Sequence, residues 1–169
     1  MKKLEKFDNK LLIVGNLGEL KIYKIKYEID ISSHDDAQTS HTRHKGKIVE
    51  HLKFDLLNDA AFIEAHKKIS DLVTDKQGHF EGPFGGESGD GHKLELEIIN
   101  RLLKLIANEV KRVVLKEDTK WFLVFPETYN SDLLLNLDDT VKNELEKNIQ
   151  ANLVKVSPQE IMDKYILEK

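Results

Sequence analysis

The sequence predicts a single α/β domain over residues 1–169, a mixed β-sheet with an N-terminal hairpin and helices packed on it. Three observations carry that prediction. The first half alternates apolar and charged residues at the period of a half-buried strand, as in Glu19-Leu20-Lys21-Ile22-Tyr23-Lys24-Ile25-Lys26-Tyr27. The second half alternates helical and extended patterns around the unbroken apolar run Trp121–Phe125. With 169 residues, 40% of them hydrophobic, the chain can bury one real core, and neither a repeat nor a long linker divides it.

In the first half, Leu11-Leu12-Ile13-Val14 is a short apolar strand closed by the turn residues Gly15-Asn16-Leu17-Gly18. With the alternating run from Glu19 to Tyr27 it forms a β-hairpin. Ser32 to Lys47 is polar and reads as a surface loop carrying His34, Asp35, Asp36, His41, Arg43 and His44. Ile48 to Leu56 alternates again through Leu52 and Phe54, a third strand. Asn58 or Asp59 then caps a helix over Ala60–Ile69.

The second half opens with the strongest helix. From His92 to about Lys111, Ile98, Ile99, Leu102, Leu103, Ile106 and Val110 fall at helical spacing, and Glu97 pairs with Arg101 four residues on. Trp121–Phe125, ended by Pro126, has the composition of a strand covered on both faces and reads as the central one. Ser131 caps a short helix through Leu133–Leu135, and Asp138 or Asp139 caps another from Val141 to Lys147. Ala151–Val156 reads as the last strand. Ser157-Pro158-Gln159-Glu160 has a cap, a first-turn proline and an acid three after the cap, so it starts a closing helix through Ile161, Tyr165 and Ile166.

Composition narrows the function. The net charge is −4, with both signs mixed along the chain, whereas a protein held by nucleic-acid phosphates is usually basic. There is no cysteine, which removes disulfides, thiolate nucleophiles and cysteine zinc sites. No apolar run approaches the roughly 20 residues that cross a bilayer, and Met1–Asp8 lacks the apolar stretch of a signal peptide. The expectation is a cytoplasmic protein with no membrane partner and no small-molecule cofactor.

Residues 78–91 hold six of the nine glycines and lead into the long helix, so this segment is the candidate functional end. Gly86 and Gly91 have P-loop spacing, but His92 and Lys93 follow where Lys and Ser/Thr belong. Glu81, Glu87 and Asp90 would repel phosphate. The segment reads instead as a mobile loop, joined to the helix with Asp90 as its cap. His34, His41 and His44 on their loop lack the helical spacing that puts two imidazoles on one face, so the site calls for no metal. Ser88 with His79 or His92 forms no nucleophile elbow.

One resemblance covers nearly the whole chain. It rests on Val73-Thr74-Asp75-Lys76-Gln77-Gly78-His79-Phe80, on the long helix followed by Trp121–Glu127, on Leu133-Leu134-Leu135-Asn136-Leu137, and on Leu153-Val154-Lys155-Val156-Ser157-Pro158-Gln159-Glu160-Ile161. This order resembles the bacterial host attachment family. That family is similar in turn to the middle domain of eukaryotic and archaeal class-1 release factors, which implies a ribonuclease H-like topology. In that domain a Gly-Gly-Gln loop precedes the long helix; here Gly85-Gly86-Glu87-Ser88 occupies the corresponding place. A carboxylate at Glu87 would be repelled by the negative charge that develops during peptide release.

The resemblance therefore implies a non-catalytic interaction protein with no catalytic residue. It would contact the ribosome through the loop, with Gly85, Gly86, Glu87, Ser88 and His92 as the binding residues. The rival expectation is a hydrolase of an ester or phosphoester using Glu87, Ser88 and His92.

Overall fold

The computed structural model describes residues 4–32, 47–58 and 89–167. The expected histidine loop, the expected helix over Ala60–Ile69 and the Gly85–Ser88 segment lie outside the described residues.

Five strands form one mixed sheet: β1 (Leu11–Gly15), β2 (Leu20–Ser32), β3 (Lys47–Asn58), β4 (Trp121–Phe125) and β5 (Leu145–Gln150). Their order is β3-β2-β1-β4-β5. β2 runs antiparallel to β1 and β3, while β1, β4 and β5 are mutually parallel. The helices are α1 (Gly89–Glu117), α2 (Glu127–Leu135), α3 (Asp139–Asn143) and α4 (Pro158–Ile161), which continues as a π-helical turn over Met162–Leu167. A 3₁₀ turn at Glu5–Phe7 precedes β1.

β1 and β4 are buried along their whole length because both faces of the sheet are covered. On one face Leu11, Ile13, Trp121, Leu123 and Phe125 pack with Leu103, Ile106 and Val110 of α1, Leu133 of α2 and Val141 of α3. On the other, Leu12, Val14, Phe122 and Val124 pack with Phe7, Ile149, Val154, Ile161 and Met162. Each such side chain contributes about 1.5–3 kcal/mol of burial. The Trp121 indole N–H is satisfied inside the core by the Val141 carbonyl at 2.9 Å, which fixes α3 against β4.

The β1–β2 hairpin closes as its turn residues predict. Asn16 Oδ1 accepts from the backbone N–H groups of Gly18 and Glu19, both at 2.8 Å, a side-chain substitute for a backbone turn. Gly15 is a glycine because of crowding. A Cβ there would lie 2.9 Å from Leu20 Cδ1 and 3.2 Å from a Phe125 ring carbon.

Four elements, α1, α2, α3 and β5, have boundaries that differ from the sequence expectation. α1 begins at Gly89 and runs to Glu117, beyond the expected His92 and Lys111 at either end. Its first-turn N–H groups have no intrahelical acceptor, so an apolar pattern cannot mark the start, and Asp90 lies within the helix instead of capping it. At the far end, Val113 and Val114 extend the buried stripe one turn past Val110, and the helix stops at Asp118 with φ 47°. α2 starts after Pro126, which sits at the N-cap where its missing N–H costs nothing, so Ser131 is interior. The helix expected from Val141 to Lys147 ends at Asn143, and the last strand is Leu145–Gln150, not 151–156. β5 is an edge strand with Ile149 as its one buried residue, so its sequence carries no alternation to read. The Ser157 cap stands as expected, its Oγ accepting from the Glu160 N–H at 3.2 Å.

Candidate interaction surface

The sheet has two ends, and of the expected binding residues His92 alone lies among the described ones. Lys24, paired with Leu11 at the start of β1, holds Glu117 at 2.7 Å. The carboxyl end of α1 therefore sits at the amino ends of β1 and β4. Because α1 packs back along the sheet, its Gly89 end lies toward the carboxyl ends of β1, β4 and β5, where open α/β sheets collect ligands. His92 falls in the first turns of α1; Gly85, Gly86, Glu87 and Ser88 lie outside the described residues.

The turns that follow are open to solvent. Glu95, Leu96, Glu97, Asn100 and Arg101 are exposed, with Ile98 and Ile99 half-buried against the core. Arg101 and Glu97 pair at 2.6 Å, the expected four-residue contact.

At the same end of the sheet the polar groups satisfy one another. Asn16 donates to Asn152 at 3.3 Å, and Lys21 donates to the Val154 carbonyl at 3.0 Å. Glu19 lies 2.9 Å from Lys21 and 3.7 Å from Lys155; its hydrogen bond with Lys21 holds its carboxyl below the usual carboxylate range. Behind them Asn130 and Asn148 form a closed amide pair. Among the described residues no buried side-chain nitrogen or oxygen lacks a partner, and no three ionisable groups gather as a metal-ligand set. His34, His41 and His44 lie outside the described residues.

At the other end β2 runs past Tyr27, where its expected alternation ends, to Ser32. β2 pairs with β1 only from Leu20 to Lys24, yet it runs on to Ser32 paired with β3 alone. This two-stranded ribbon has two unlike faces. One bears Lys24, Lys26, Glu28 and Asp30 opposite Asp55, Lys53, His51 and Val49. There Lys26 pairs with Asp55, and His51 stands 3.6 Å from both Glu28 and Asp30. The other face bears Ile25, Tyr27, Ile29 and Ile31 opposite Phe54, Leu52, Glu50 and Ile48.

Near its root the apolar face packs into the core through Ile25 and Leu52, helped by Tyr27 and Phe54. Toward the tip it is bare: Ile31 is 71% exposed, and Ile29 and Ile48 are each 54% exposed. The signal was present in sequence, since the alternation continues past Tyr27 through Glu28-Ile29-Asp30-Ile31. Three of the large hydrophobic residues exposed among the described ones, Ile29, Ile31 and Ile48, thus share one face of the ribbon tip, with Val49 on the opposite face, so the exposure is a patch and not scatter.

No helix among the described residues is long and apolar enough to cross a membrane. The family model described as "Protein required for attachment to host cells" matches residues 18–164. No curated protein and no solved structure matches the chain.

Proposed function

Because the chain belongs to the family of proteins required for attachment to host cells, we propose that it is a non-catalytic interaction protein that binds a macromolecular partner. The observation that carries this reading is the concentration of exposed apolar side chains on the β2–β3 ribbon. Soluble proteins keep such patches small unless they serve contact.

The finer reading places the protein in the cytoplasm and gives it a second contact, with the ribosome, through the glycine-rich segment ahead of α1. Its support is the resemblance of Gly85-Gly86-Glu87 to a release factor's Gly-Gly-Gln tip. A five-stranded sheet with β2 alone running against the others further supports the ribonuclease H-like relation.

Co-sedimentation of the native protein with ribosomes at low and moderate salt tests the finer reading. Recovery in the ribosomal fraction that is lost on replacing Gly85 and Gly86 with Ala is expected. Absence from that fraction at both salts removes the ribosome. Ester or phosphoester turnover that disappears in Glu87→Gln would overturn the non-catalytic reading in favour of the hydrolase.

A further inference from the structure

We draw no further inference here: the strongest candidate, the apolar stripe of Ile29, Ile31 and Ile48 at the far end of the β2–β3 ribbon, belongs to the surface already described, and nothing in the structure shows what covers it.

Discussion

Asn130 of α2 and Asn148 of β5 exchange hydrogen bonds through their side-chain amides. Asn130 Nδ2 donates to Asn148 Oδ1 at 2.8 Å, and Asn148 Nδ2 donates to Asn130 Oδ1 at 2.7 Å. Asn130 is fully buried. The pair anchors an edge strand whose apolar contribution to the core is small, so β5 is held by polar chemistry as much as by packing.

Removing Asn130 takes a fully buried amide out of the core and leaves the half-buried Asn148 amide without this partner. Asn130→Ala is expected to lower unfolding free energy by about 1–3 kcal/mol in urea titrations. Replacing both residues with Leu should cost less than the sum of the two single replacements, since no orphan remains. Strict additivity would show that the two amides do not act as a unit.

Gly15→Ala places a methyl group into contact with Leu20 and Phe125. Leu20 and Phe125 are themselves packed in the core and cannot easily retreat. Overpacking of this kind costs about 1–3 kcal/mol. A thermal melt unchanged from wild type would mean that the hairpin turn yields freely.

Ser157→Ala removes the oxygen that accepts from the Glu160 N–H. The expected loss is about 1 kcal/mol, with Ser157→Asp retaining most of the stability. Hydrogen exchange should locate the loosening in α4 and the π-helical turn after it. Uniform loosening across the sheet would contradict a local cap.

Lys26 and Asp55 pair across the ribbon, and their hydrogen bond lowers the Asp55 carboxyl and raises the Lys26 ammonium from their ordinary ranges. The Asp55 contribution is present above the carboxylate's unfolded value and is lost as pH falls through its lowered folded value. The Lys26 contribution is present below the ordinary lysine range and is lost as pH rises through its raised value. The stability gap between wild type and Asp55→Asn should thus be steady through neutral pH and close on acidification. Added salt should narrow it, because both side chains meet water. A gap that widens in acid would reverse the assignment.

Ile31→Lys tests the ribbon as a contact surface. With the side chain largely in water, the change should shift stability by no more than about 0.5 kcal/mol. Partner recovery in crosslinking or pull-down should fall, while Leu135→Lys, at a still more exposed position on α2, leaves it intact. Equal recovery by wild type and Ile31→Lys would remove the ribbon from the binding surface.

How much of this was legible follows from how each element is buried. β1 and β4, covered on both faces, read directly as apolar runs, and the buried face of α1 was plain from Ile98 to Val110. β5 was not legible: Leu145-Glu146-Lys147-Asn148-Ile149-Gln150 has one neighbour and one buried residue, while Leu153, Val154 and Val156 just beyond it imitate a strand. The Val156 N–H instead returns to the Leu153 carbonyl at 2.9 Å, making a turn. The Asn130–Asn148 pair was invisible for another reason, because the two residues meet only once α2 folds back on the sheet. As for the expected site, the helix it leads into is legible in kind, but its pattern falls three residues short at the start and about six short at the end.

The ribbon also has a mechanical side. Residues 25–32 of β2 extend roughly 26 Å at about 3.3 Å per residue. At the root, Asp8 Oδ1 accepts from the Tyr27 N–H at 2.9 Å, and Lys24 grips Glu117 at the base of the longest helix. It is a cantilever: a load taken up at Ile31 arrives at Lys24 and Glu117 as torque, multiplied by the length of the arm. A grip on the tip would therefore be felt first at Tyr27 and Asp8, where the ribbon enters the core, and next at the foot of α1.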